Sequence, residues 1–546
     1  MPPPTQEWLA AQYKSGRFDL PNAHHHILYD KEHEALNFAF NKLAIKVSDE
    51  SRLEKTSLVS RMQSQLPLGI PPIFVDHVYR ILAYHSTAPF YQAPSTPLPQ
   101  SLSLLDIQRA LVWLLPDRHL QMSEMGNIGR MRTPADNRRL LFQSLATRSA
   151  TTANNPSDEA ARRLYAHRNA FDREHLIKHC GPLSEDDDDV LTDWAKINRD
   201  DDGDEMYHDL LDVLQANVPE NYPYASPRDQ LRPLAKELKV DFEFHSLAIP
   251  RDELTDFVQA LIALQFETAQ SSLESVDLQS LDEVVSSVMA TFTCDDNDLV
   301  NAFPVAHDLI AWPAFDRGFQ RIPHLLDLVY RVLIDILLDG KAVATDIRPS
   351  YEAPPALQAR KQATNDSHVL SFGWMALTHA LVPPVVDWET CHTVVRWHRS
   401  PGSNRAADAM PNSDAIWAHI HPQATKNNEE PPASILAFSG HDQASRERFV
   451  GGIMVAADHD GEDGNGGRDL VYSFYIFRLA PSVLYAKLLS QQWRQGPGGE
   501  LAFGDTQTSC RFRLRADKMV TEIELPTDGQ LQMIELDALE VWKDGE

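Results

Sequence analysis

Apolar residues recur every three or four positions through much of the first two-thirds of the chain. That interval puts them on one face of a helix. EHEALNFAFNKLAIKV (32–47), SRLEKTSLVSRMQSQL (51–66), PPIFVDHVYRILAYHS (71–86) and SLSLLDIQRALVWLLP (101–116) carry it first. Pro71-Pro72 suits a first helical turn, Ser103 suits a cap and Pro116 a stop. The period returns in PRDELTDFVQALIALQF (250–266), SLDEVVSSVMATF (280–292), NDLVNAFPVAHDLIAW (297–312) and IPHLLDLVYRVLIDILL (322–338). SHVLSFGWMALTHALV (367–382) predicts one further helix.

Residues 117–230 break the pattern. TRSATTANNPSDEAARR (147–163) is polar, and residues 185–209 hold 12 acidic and 2 basic residues, a net of −10. Such a segment reads as a solvated, partly mobile spacer. After residue 390 the period shifts to two. HTVVRWH (392–398), AIWAHIH (415–421), SILAFSG (434–440), RFVGGIMVAA (448–457), LVYSFYIFRL (470–479), ELAFG (500–504), CRFRLRA (510–516), VTEIEL (520–525) and MIELDALEVW (533–542) predict short strands bounded by turn residues.

These patterns predict an α+β protein in four stretches. An N-terminal helical region (1–150) and an acidic spacer (151–245) precede a middle helical region (246–345). A C-terminal domain (365–546) follows, expected as an antiparallel two-sheet β-sandwich with flanking helices. No repeat of 20 to 50 residues is visible.

Charge narrows the partners. Over 546 residues, 78 acidic and 50 basic side chains leave a net of −28. That field repels phosphate backbones, so direct nucleic-acid binding is not expected. The four cysteines (Cys180, Cys294, Cys391, Cys510) form no CxxC pair, which fits a reducing compartment. The N-terminus has no signal-type apolar stretch and no Met-Gly start. The most apolar helix, 325–338, carries Asp327, Arg331 and Asp335 and is too short to span a bilayer. A cytoplasmic protein without a transmembrane segment is the expectation, with membrane association only through a partner.

The candidate chemistry is sparse. G-x-S-x-G, G-x-x-x-x-G-K-[ST] and H-E-x-x-H are all missing. Ser439, His441 and Asp442 stand too close in sequence to build a triad, whose members come from distant segments. His24-His25-His26 reads as a polar turn. Gly451-Gly452 marks a bulge or a close backbone approach. Trp542 and Phe477 read as core, and Glu540 as an outward-facing acid on an alternating strand. NRDDDGDEMYHD (198–209) sets Asn198, Asp200, Asp202, Gly203, Asp204 and Asp209 at calcium-loop positions 1, 3, 5, 6, 7 and 12. Its Asn198, Glu205 and Asp209 depart from that pattern, so it reads as a solvated turn. DHDGEDGNGGRD (458–469) reads as a hairpin tip. No residue is assigned to catalysis, a cofactor or a metal, and the chain is not expected to be an enzyme.

Five segments in order resemble the TLDc domain family: Ser434–Gly440, Phe449–Ile453, Tyr475–Pro481, Leu501–Gly504 and Leu539–Trp542. Gly452 stands where the family has Ala, and 458–469 is a longer insertion than usual. The front half, PLGIPPIFVDHVYRILAYHSTAPF and LSLLDIQRALVWL, resembles the helical region of fungal restriction-of-telomere-capping proteins, which carry a C-terminal TLDc domain. The resemblance implies a non-enzymatic regulatory protein with protein partners, vacuolar proton-pumping ATPase subunits among them. It also implies a link to oxidative-stress resistance and an indirect one to telomere capping. A calcium-responsive adaptor using 198–209 and an undetected hydrolase are the alternatives.

Overall fold

The computed structural model describes residues 28–47, 50–65, 72–88, 97–115, 118, 134–149, 209–211, 213, 227–238, 247–264, 266–267, 278–292, 308–338, 357–358, 374, 377–378, 381, 392–399, 410–411, 413–420, 433–458, 471–488, 493–496, 500–504, 511–515, 519–524 and 531–543. Within them the chain is mixed α and β, with helices dominating the first two-thirds and a large antiparallel sheet the last third.

Helix α1 (Asp30–Leu43) begins where Glu32 reaches back to accept the Tyr29 N–H at 2.8 Å. The chain then extends into β1 (Ile45–Val47) and β2 (Glu50–Glu54), which pair antiparallel. Helices α2 (Lys55–Gln65) and α3 (Pro72–His85) follow. Strand β3 (Ser101–Leu102) pairs with β2 and leads into α4 (Leu104–Leu114). Ser103 caps α4 as its sequence predicts: its Oγ accepts the Asp106 N–H, and Asp106 accepts the Ser103 N–H at 2.8 Å.

Next come α5 (Pro134–Leu145), β4 (Arg148–Ser149), α6 (Pro227–Leu238), β5 (Leu247–Pro250), α7 (Arg251–Leu264), β6 (Phe266–Glu267) and α8 (Leu278–Thr291). Then β7 (Leu309–Ala311), α9 (Trp312–Arg321), a 3-10 turn (Pro323–Leu325), α10 (Asp327–Leu337) and β8 (Leu357–Gln358) complete this part. Helix α3 lies at its centre, touching α2, α4, α5 and α7. Phe74 of α3 meets Phe257 of α7 at 5.7 Å between ring centroids, and Phe142 of α5 meets Trp312 of α9 at 5.6 Å. The N-terminal and middle helices therefore share one core.

Four predicted elements differ. EHEALNFAFNKLAIKV leaves its helix after Leu43 and ends as strand β1. SRLEKTSLVSRMQSQL starts as strand β2 before α2. Leu309–Ala311, expected in a helix, pairs as β7 against β5, so backbone pairing overrode local periodicity. AIWAHIH, expected as a strand, lies largely in helix α11 (Ser413–Ile420), because Ile416 and Ile420, one turn apart, both reach the sheet's inner core.

The C-terminal strands are β9 (His392–His398), β10 (Ser434–Asp442), β11 (Arg448–Asp458), β12 (Val471–Ala480), β13 (Leu484–Leu488), β14 (Trp493–Gly496), β15 (Glu500–Gly504), β16 (Arg511–Arg515), β17 (Val520–Glu524) and β18 (Leu531–Lys543). All ten pair into one antiparallel sheet, ordered β13-β12-β11-β10-β18-β17-β16-β15-β14. One edge of β18 pairs β10 over 534–543, and its other edge splits between β17 (531–535) and β9 (538–543). Strands three places apart lie about 14 Å apart in a flat sheet. Yet Phe438 of β10 and Phe512 of β16 meet at 5.6 Å, so the sheet curls around its own core. Leu436, Phe438, Ile453, Ile476, Leu539 and Val541 line the inside, and α11 packs into it. The alternate residues Ile435, Ala437, Met454, Tyr475, Phe477 and Trp542 face the other way and join the core of the helices.

Candidate functional site

The helix-facing side of the sheet is closely built around β11. A Cβ added at Gly452 would lie 2.2 Å from the Leu436 carbonyl oxygen and 2.6 Å from the Phe477 ring. The β11–β12 register shifts between Val450 and Gly451. The glycine pair thus marks both a bulge and a close approach. Trp542 and Phe477 are buried in the core.

Glu540 corrects the sequence reading. It is 0% exposed rather than outward-facing, because it shares the helix-facing side with Ala538 and Trp542. A buried carboxylate is costly unless paired and hydrogen-bonded. Trp542 Nε1 donates to it at 3.2 Å, and Arg396 Nε lies 3.6 Å away.

Helix α8 is pinned to this side of the sheet. Ser287 Oγ donates to the Leu479 and Pro481 carbonyls, and the Val483 N–H donates to Thr291 Oγ1 at 3.1 Å. Beside this seam, Arg448 reaches Glu283 of α8 at 2.6 Å.

The end of the β10–β11 hairpin carries a chain of ion pairs. Arg399 and Arg446 both hold Glu535, at 2.7 and 3.6 Å, and His441 Nδ1 lies 2.7 Å from Asp537. The Arg399 hydrogen bond holds the Glu535 carboxyl below its ordinary value. Arg446 sits at φ 63°, in the tight connection between the two strands.

Ser439, His441 and Asp442 go separate ways. Ser439 is buried in β10, and Asp442 accepts the Ser445 N–H within the turn. His441 pairs with Asp537, and among the described residues no hydrogen bond joins Ser439 to His441. Asp537, Glu535, Arg399 and Arg446 were invisible as partners, since only the β10–β18 and β9–β18 registers bring them together.

The acidic run ends in the core rather than in solvent. Of NRDDDGDEMYHD only Asp209 falls among the described residues. It is 0% exposed, and both its carboxylate oxygens lie within 2.9 Å of Arg139 Nη2. Leu210, Leu211 and Val213 pack with Tyr84, Trp113 and Leu140. The carboxylate expected at calcium position 12 is thus engaged by a guanidinium. Residues 198–208, His24–His26, the four cysteines and 459–469 lie outside the described residues. Among the described residues no group of three or more His, Cys, Asp or Glu could hold a metal ion, and no helix is long and apolar enough to cross a membrane.

No family model matches the chain, and no curated protein sequence matches it.

Proposed function

We propose that the protein is a non-enzymatic regulatory and interaction protein of the TLDc type, working in the cytoplasm through protein partners. Its carrying observation is the arrangement of the five resembling segments. They fall in β10, β11, β12, β15 and β18, and four of these strands are direct neighbours. On this reading the opposed walls of the curled sheet correspond to the two layers of a TLDc-like sandwich, with α11 and the helices flanking them. The side chains of most chemical interest are engaged in structural contacts: Glu540 with Trp542 and Arg396, and His441 with Asp537. The partner class that follows from the resemblance is the vacuolar proton-pumping ATPase, with oxidative-stress resistance as the wider role. Any effect on telomere capping is indirect, given the net charge of −28.

Affinity purification of the tagged full chain from its native cells tests this, with a form lacking residues 367–546 as control. ATPase subunits should co-purify with the full chain and not with the control, under conditions that keep the pump assembled. Their absence from the full-chain sample would remove the ATPase reading.

A further inference from the structure

The helical part holds a second core beside the main one. Tyr84 of α3, Trp113 of α4, Leu140 of α5 and Leu231 and Leu234 of α6 wall it. Among the described residues none of these belongs to the cluster that the helices share with the sheet. The stretch that fills it is short and helical, Asp209–Leu211 and Val213. Its three apolar side chains are at most 1% exposed.

One charged group of the wall reads this stretch. Arg139 Nη2 holds the two Asp209 oxygens at 2.9 and 2.8 Å, while Asp136 lies farther off, at 3.9 Å. Gln143 Oε1 accepts from Arg139 Nη1 at 3.4 Å and from the Tyr84 hydroxyl at 3.3 Å. Groups outside the stretch therefore orient the guanidinium, and a receptor set in advance saves ordering cost on binding. The occupant arrives on long connections, residues 150–208 before it and 214–226 after it. A tethered segment fills such a site at high effective concentration without being part of its walls.

We propose that this second core is a recognition pocket for a short acidic–apolar helical segment. Asp209–Val213 fills it in cis, and a partner protein's segment of the same chemistry enters by exchange. That segment carries an aspartate with apolar side chains one, two and four places after it, as Asp209 is followed by Leu210, Leu211 and Val213. The mode is exchange rather than simple opening, because an empty pocket would take the close carboxylate from a buried guanidinium. The separate main core stays packed meanwhile. The pocket owes nothing to residues 367–546, so it and the TLDc-type reading can fail separately.

The test uses the full chain and a fluorescent peptide of residues 203–217, with binding read by anisotropy. The Asp209→Ala/Leu211→Ala chain has a weakened internal segment, so it should bind the peptide at least about tenfold more tightly than the parent chain does. A peptide carrying Asp209→Asn should bind that chain at least about tenfold more weakly than the parent peptide. Should the double variant not fold, the parent chain cut at protease sites placed on both sides of 203–217 decides. The cut fragment should stay bound, and excess labelled peptide should replace it while the remainder keeps its cooperative thermal unfolding. Binding to neither protein, binding indifferent to Asp209, or unfolding of the remainder when the fragment leaves would make the stretch a permanent part of the core and overturn the proposal. A dimer of the parent chain that Asp209→Ala/Leu211→Ala abolishes would put a second copy in the pocket and overturn it too.

Discussion

Arg139 of α5 and Asp209, 70 residues apart, form a fully buried ion pair, with Arg139 Nη2 2.9 and 2.8 Å from the two carboxylate oxygens. The pair fastens the end of the acidic run to the helical core. Removing one partner of such a pair leaves an uncompensated buried charge, which costs about 3–5 kcal/mol. Asp209→Ala should lower unfolding stability by that order in urea titrations. Calcium titrated calorimetrically into the parent and the Asp209→Ala chain should give the same heats. A calcium response lost with Asp209 would restore the loop reading.

Gly452 allows no side chain. A methyl group there meets the Leu436 carbonyl oxygen at 2.2 Å, and a backbone atom held in a ladder cannot swing aside. Overpacking of this kind costs about 1–3 kcal/mol. Gly452→Ala should sit at the upper end of that range in chemical denaturation. An unchanged midpoint would mean that β10 and β11 can separate locally.

Acid should destabilise the helical part through two histidines. His77 and His85 are both buried in α3, and burial pushes each down to about 4; nearby Arg80 lowers His77 further, while Asp76 opposes the shift. For His85 the hydrogen bond to the Ile81 carbonyl, at 2.7 Å, opposes the shift. Unfolded, each returns to the ordinary value of about 6.5 and binds a proton the folded form refuses. Their contribution is complete above that value and is lost as pH falls from there towards 4. Inside the window each histidine adds a slope of up to about 1.4 kcal/mol per pH unit. Urea midpoints measured between pH 7.5 and 4.5 should show that decline. His77→Gln with His85→Gln should flatten it.

The sheet was more legible than the contacts that close it. Ser434–Phe438 and Phe449–Val455 are almost continuously apolar because alternate side chains face the inner core and the helices, and both sets are buried. The short edge strands β13 and β14 carry little such pattern and went unpredicted. Helix α11 was misread because Ile416 and Ile420 meet the core at helical spacing in a segment too short to declare its period. Glu540 reads as solvent-facing by type and is buried by a helix layer that no local window contains. Arg139–Asp209 and His441–Asp537 depend on chain return over 70 and 96 positions, and nothing near either residue announces its partner.

The seam between α8 and the sheet should control local opening more than global stability. Thr291 Oγ1 is the acceptor for the Val483 N–H, at the bend between β12 and β13. Thr291→Val keeps shape and removes the oxygen, leaving a buried N–H without its acceptor at a cost of about 1–3 kcal/mol. The bend lies at the edge of the sheet, where opening needs few other contacts to break. Hydrogen exchange at the Val483 amide should therefore accelerate about tenfold or more in Thr291→Val, while amides in β10 and β18 keep their protection. Ser287→Ala, which frees the Leu479 and Pro481 carbonyls instead, should loosen the same bend without exposing a donor, and its effect on Val483 should be smaller. Equal acceleration throughout the sheet would mean that the helices and the strands open as one unit.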